Sequence, residues 1–170
     1  MKIGKLEISL EELQHFIVKA KRNGYAGGTE KQREKDGSKT YTFQEGNFHY
    51  TDNYAGSNQA PGTEIVKWQR EDEQRIWQMS YSGGMLPEFW ENEKLSEQTF
   101  KFLKEVLMQV TFNHPFRGPQ SYEGDDFFYF SGVQGNIKRF KGNEEIFSRS
   151  LDKTVFSQDF IGGLVIPKIK

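Results

Sequence analysis

Residues 48–86 and 127–165 carry two degenerate copies of one pattern, and a duplicated pattern restricts the chain to folds in which one small unit is built twice. The first copy reads Phe48-x-Tyr50, Gly56, Glu64-Ile65, Trp77-x-x-x-Tyr81-x-Gly83-Gly84-Met85-Leu86. The second reads Phe127-x-Tyr129, Gly135, Glu145-Ile146, Phe156-x-x-x-Phe160-x-Gly162-Gly163-Leu164-Val165. From the first Phe to the double glycine is 35 positions in both copies, with seven identities in order. No Pro/Gly/Ser-rich linker separates the copies. The repeat therefore predicts halves 8–86 and 95–165 within one domain spanning 1–170.

Each copy is preceded by a helical pattern. Ser9-Leu10-Glu11-Glu12 is a capping box, and Leu13, Phe16, Ile17 and Ala20 follow at one-face spacing up to Asn23-Gly24. The second pattern starts at Ser96 and carries Phe100, Leu103, Leu107 and Val110, widened by Phe102 and Val106. Alternation marks strands around 48–51, 64–69, 76–81, 127–130 and 145–149, with turns at 70–74 and 150–153. It sets Trp77, Met79 and Tyr81 on one face and Ile76, Gln78 and Ser80 on the other. Both double glycines read as strand ends. Copy one holds a charged 12-residue insertion, 29–40, turning at Asp36-Gly37 and returning through 41–43. The expected class is α+β: an internally duplicated helix-plus-three-strand unit with pseudo-two-fold symmetry, its antiparallel twisted sheet or half-barrel packed by two helices.

Composition narrows the chemistry. Hydrophobic residues are 35 % of the chain and aromatic residues 15 %, so the core leans on large rings. A net charge of −1 gives no global field for nucleic acid, and the lack of cysteine removes disulfides and thiolate chemistry. No apolar run suits a signal peptide or a membrane span, so a cytoplasmic protein is expected. No spacing of His, Asp or Glu suggests a metal, and no glycine pattern suggests a nucleotide cofactor.

Several residues are candidates for a site. Glu64 and Glu145 occupy equivalent positions in the repeat; a pseudo-two-fold axis would bring them to a shared cleft, where acids among rings suit an organic cation. Trp77 and Tyr81 match Phe156 and Phe160, which fits a core role as well as a pocket. Trp68, aligned with Arg149, and Trp90, outside the repeat, are asymmetric and better pocket candidates, and Tyr54 joins them. His49, near Asp52, is the one candidate acid-base group, although alternation points it away from Phe48 and Tyr50. The Lys138-Arg139-Phe140-Lys141 patch and Asp125-Asp126 read as turns.

Tyr25-Ala26-Gly27-Gly28, Asp36-Gly37-Ser38-Lys39, Phe48-x-Tyr50-x-Asp52-x-Tyr54, Trp77-x-Met79-x-Tyr81-x-Gly83, Pro115-Phe116-Arg117-Gly118-Pro119 and Gly162-Gly163-Leu164 together resemble an uncharacterised bacterial domain family. That family occurs stand-alone and behind helix-turn-helix segments of regulator-like proteins, and it transfers no catalytic residues. The resemblance implies a bacterial, cytoplasmic setting and a lean towards sensing. Duplicated effector-binding domains of drug-sensing regulators are similar in spirit, with a different order of elements. The first functional expectation is a non-catalytic small-molecule-binding or sensing module for an apolar or cationic ligand, using Tyr54, Glu64, Trp68, Trp77, Tyr81, Trp90 and Glu145. The second is a protein-interaction or homodimerisation domain, because 127–130 is apolar on both faces. The third is an enzyme using His49.

Overall fold

Alternating aromatic and polar residues run in this chain through strands of up to 12 residues, far longer than the apolar runs suggest. A computed structural model describes residues 2–3, 6–28, 30–68 and 73–168. The expected strand end at Gln69, the turn residues 70–72 and the first insertion residue, Thr29, lie outside these. The elements in order are β1 (Lys2–Ile3), β2 (Leu6–Glu7), α1 (Leu10–Asn23), β3 (Gln32–Arg33), β4 (Lys39–Glu45), β5 (Phe48–Tyr54), β6 (Gly62–Trp68), β7 (Gln74–Met85), a short 3-10 turn (Pro87–Phe89), α2 (Glu93–Leu107), β8 (Ser121–Glu123), β9 (Phe127–Asn136), β10 (Arg139–Ser148) and β11 (Lys153–Leu164). Among the described residues β1 and β2 pair by themselves. The other nine strands form one antiparallel sheet, ordered β3-β4-β5-β6-β7-β11-β10-β9-β8.

This overturns the α+β expectation. Strand residues make up 48 % of the described residues and helical residues 20 %, so the sheet dominates and the helices are minor, at 14 and 15 residues. The reason is strand length: β7 and β11 run 12 residues each and β9 and β10 ten, well beyond the short strands expected. The double glycines stand at strand ends as expected, one residue before the last of β7 and of β11, and still belong to the ladder: Gly83 and Gly84 pair with Gln158 and Ser157, and Gly162 and Gly163 with Met79 and Gln78. Without a side chain they let neighbouring backbone cross closely while the hydrogen bonds continue.

The centre of the sheet is the β7–β11 pair, in which Tyr81 faces Phe160, Trp77 faces Leu164 and Met85 faces Phe156. Ile76 is skipped in the β6–β7 register and Val155 in the β10–β11 register. Each is a one-residue bulge, so Ile76 and Trp77, and likewise Val155 and Phe156, turn successively into the core, where all four are buried. Simple alternation placed Ile76 on the other face from Trp77; the bulge corrects it.

Helix α1 starts as its capping box dictates, with the Glu12 N–H donating to Ser9 Oγ (3.3 Å), and buries Leu13, Phe16, Ile17, Val18 and Ala20. Helix α2 begins earlier than Ser96. Asn92 caps it by accepting from the Leu95 N–H (3.1 Å), and the buried stripe runs Leu95, Thr99, Phe102, Leu103, Val106 and Leu107, leaving Phe100 half-buried. Two apolar clusters result, one around α1 and β5–β7, the other around α2 and β9–β11. Among the described residues no helix is long and apolar enough to cross a membrane.

Candidate functional site

Where the two clusters meet, the inner face of the sheet turns polar. On β5 the inward positions read Phe48, Tyr50, Asp52 and Tyr54; on β6 they read Gly62, Glu64, Val66 and Trp68. Asp52 and Glu64 are direct cross-strand neighbours. A charged residue within an otherwise apolar strand face is costly to bury without partners, so each has a specific one. Lys21, from the last turn of α1, pairs with Glu64 and donates to the Phe116 carbonyl (2.6 Å). Arg117 reaches Glu144 through Nε and Nη2 (both 2.9 Å) and lies 3.8 Å from Glu64. Glu144, fully buried, also accepts from Tyr129 Oη (2.6 Å) and Gln158 Nε2 (2.8 Å). Arg117 is delivered by a tight approach: a Cβ on Gly118 would stand 2.6 Å from Val106 and 3.0 Å from the Tyr129 ring.

Asp52 differs from the other two carboxyls. Its partner is a neutral hydroxyl, Tyr81 Oη at 2.7 Å. Burial, and then the charge of Glu64, push it up to about 7, against the pull of Tyr81, Arg117 and Lys21. Burial lowers Lys21, and the Arg117 charge adds to this, although Glu64 opposes it. Burial also raises Tyr81, with Asp52 acting in the same direction. Burial alone would lower Arg117, but Glu144 and Glu64 hold it above its ordinary value.

Above this floor opens a cleft of about 380 Å³. Tyr25, Tyr54, Tyr81, Phe100 and Phe156 supply its walls, and Asp52, Arg117 and Gln158 its floor. Lys31, Lys39, Lys101 and Lys104 stand around the opening with one acid, Glu97. Lys39 Nζ lies 5.2 Å over the Tyr54 ring, Lys104 Nζ 5.1 Å over Tyr25, and the Arg117 guanidinium 5.1 Å over Tyr81. Partial burial lowers Lys39, with the charges of Lys31 and Arg33 acting in the same direction. Residues 55–61 form one rim, fixed where Met85 N–H donates to the Asn58 carbonyl (2.8 Å) and Ala60 N–H to the Gly83 carbonyl (2.9 Å). Behind Arg117, between Lys21, Tyr50, Asp52 and Glu64, lies a cavity of about 20 Å³, room for one water.

The candidates named from sequence are distributed unevenly. Tyr54 and Tyr81 line the cleft, and Glu64 lies just beneath it in the small cavity. Trp77 is buried in the core, its indole nitrogen without an acceptor. Trp68 packs edge-on to Phe48 (4.8 Å), away from the cleft. Trp90 is 45 % exposed, its Nε1 donating to the Met85 carbonyl (2.8 Å). Glu145 faces Phe130 and Ser157, on the sheet side opposite Glu144. The register explains this. Glu64 pairs with Met79, two residues before Tyr81, and Glu144 pairs with Gln158, two before Phe160. The positional counterpart of Glu64 is thus Glu144, and a one-residue offset reverses the face. His49 and Asp52 lie on opposite faces of β5, and Asp52 bonds to Tyr81 instead. Among the described residues no group of three or more His, Asp or Glu is placed to hold a metal ion.

Sequence reasoning gave Asp52 only the part of a partner for His49, and assigned no role to Arg117, Lys21, Glu144 or Gln158. The available signal was Asp52 and Glu64 breaking the apolar alternation of their strands, and a lone arginine between Phe116 and Gly118. A family model described as "Domain of unknown function (DUF5680)" matches residues 52–165. The chain belongs to that family. The DUF5680 match takes in Asp52, Glu64, Tyr81, Arg117, Glu144 and Gln158, and leaves α1 with Lys21 and β4 with Lys39 outside. No curated protein and no solved structure matches the chain significantly.

Proposed function

We propose that this DUF5680 protein is a small-molecule-binding module whose ligand enters the cleft between α2 and the inner face of the sheet. One observation carries the reading: an aromatic-walled cleft of about 380 Å³ ends on three convergent polar groups, Asp52, Arg117 and Gln158. Ligand sites have this size and this make-up, an apolar wall with a few placed polar groups. Four lysines against one glutamate at the opening favour an anionic or neutral ligand over a cationic one. The proposal includes the setting that the family resemblance implies, a bacterial cytoplasm and a sensing role beside transcription regulators. A thermal-shift screen tests it, since a ligand at 100 times its Kd raises stability by about 2.7 kcal/mol. Aromatic acids should shift the melting temperature of the protein and leave a Tyr54→Ala, Phe100→Ala variant unmoved; silence from aromatic, lipid-like and charged panels would end the proposal.

A second reading is supported by the outer sheet face, where Phe128, Phe130 and Ile161 are 37 %, 51 % and 62 % exposed. A second copy of the chain would cover such a face. Sedimentation at increasing concentration should then show a dimer that Phe130→Lys dissociates; a monomer throughout removes this reading.

A further inference from the structure

The floor of the cleft holds three carboxyls and two cations. Lys21 is engaged by Glu64, and Arg117 by Glu144 and, more distantly, Glu64. Asp52 is left with the hydroxyl of Tyr81. The groups facing it are Lys21 and Tyr25 from α1 and the turn after it, Tyr41 from β4, Tyr50 and Tyr54 from its own strand, Glu64 from β6, Tyr81 from β7 and Arg117 from the segment before β8. Across the cleft α2 presents Glu97, Lys101 and Lys104, and the β3–β4 hairpin presents Lys31 and Lys39.

Resting on the small-molecule reading above, we infer that the cleft takes up an aromatic carboxylate together with one proton, and that the proton is held by Asp52. With Asp52 ionised the floor carries a net negative charge in a poorly solvated place, and a carboxylate arriving there meets repulsion. With Asp52 protonated the floor is neutral and the lysines at the opening set the sign of the field. The protonated carboxyl also changes its hydrogen-bonding role. It still accepts from Tyr81, and its own O–H can donate to a ligand oxygen, which an ionised carboxylate cannot do. Proton and anion therefore each strengthen the binding of the other, as linkage requires. The position of Asp52, raised to about 7, sets this exchange near neutral pH. The walls favour a planar body: Tyr54, Tyr81 and Phe100 offer ring faces and edges to stack on.

Calorimetry on the full chain tests the coupling, with indole-3-acetate, its neutral analogue indole-3-acetamide and the cation tryptamine as probes, at pH 6, 7 and 8 in buffers of differing ionisation enthalpy. Indole-3-acetate should bind best, take up as much as one proton per ligand above neutral pH, and weaken about tenfold per pH unit once Asp52 is ionised. Asp52→Asn, whose amide can donate to the ligand but cannot titrate, should lose both the proton uptake and the pH slope. Tyr81→Phe removes a bond that favours the ionised form, so the break in the pH dependence should move to higher pH; this holds the test even if the Asn variant does not fold. Binding of indole-3-acetate without proton uptake, an unchanged slope in Asp52→Asn, or tighter binding of tryptamine with proton release would each overturn the coupling while leaving a binding cleft. Failure of all three probes to bind at pH 6 would overturn the uptake of an aromatic carboxylate, whereas only silence across the wider panels above ends the cleft reading.

Discussion

Glu144 shows what a single buried carboxylate demands of its surroundings. Arg117, Tyr129 and Gln158 donate to it, and their side chains come from three separate parts of the chain. Removing the cation leaves buried acids uncompensated, which costs far more than the pair contributes net. Arg117→Met should therefore lower the unfolding free energy by about 3–5 kcal/mol, and Tyr129→Phe by about 1–3 kcal/mol, both measured by urea denaturation. Asp52 makes a prediction of different form. Its folded-state value, about 7, lies above the ordinary 3.8, so between those pH values the folded protein holds a proton that the unfolded chain has released. The stability this contributes is fully present below about pH 4 and is lost as pH rises to 7, at about 1.4 kcal/mol per pH unit. Relative to the protein, Asp52→Asn should gain stability steadily over that window and hold a constant difference above about pH 8. A difference that does not change with pH would place the Asp52 carboxyl outside a buried environment.

At the scale of elements, the cleft depends on how strands tolerate irregularity. The bulges at Ile76 and Val155 turn an extra aliphatic residue inward from each half of the sheet centre, beside the rings of Trp77 and Phe156. Gly84 serves the rim. Its φ of +152° is one that side chains rarely adopt, and a Cβ there would collide with the Asn58 carbonyl. Gly84→Ala should destabilise the protein by more than about 1 kcal/mol. It should also displace residues 55–61, so that binding in the cleft weakens more than stability alone explains; retained affinity would show that this rim plays no part. Asn58 links the same rim to α2 by accepting from Ser96 Oγ (2.7 Å) and donating to the Trp90 carbonyl (2.7 Å). The serine read as a helix start is thus a tether between helix and rim.

At the scale of the whole molecule, charge is segregated within a chain whose net charge is only −1. Cations gather at the mouth of the cleft while the acids of the floor are paired or titrate. The double variant Lys39→Glu, Lys104→Glu should weaken indole-3-acetate about tenfold or more at low ionic strength and narrow that gap as salt is added. Unchanged affinity would remove the mouth lysines from recognition.

What the sequence by itself determined is what local periodicity and local capping determine. The start of α1 follows from Ser9 and Glu12, its buried face from residues three and four apart, and the antiparallel pairing of neighbouring strands from their short connections. The balance between helix and sheet was not legible, because the strands run well past the short alternations that mark them, to 12 residues in β7 and β11. Nor was the face of a glutamate. Glu64 and Glu145 align as letters, yet cross-strand hydrogen bonding sets Glu64 against Glu144, and one residue of register separates the core from solvent. The ion pairs of the floor lay further still from sequence. Lys21 and Phe116 meet across 95 residues, and Arg117 enters only because Gly118 can press against Tyr129. Only the packing of α1 and α2 against the sheet brings those charges together, since a buried charge is tolerated where the tertiary structure supplies its partner.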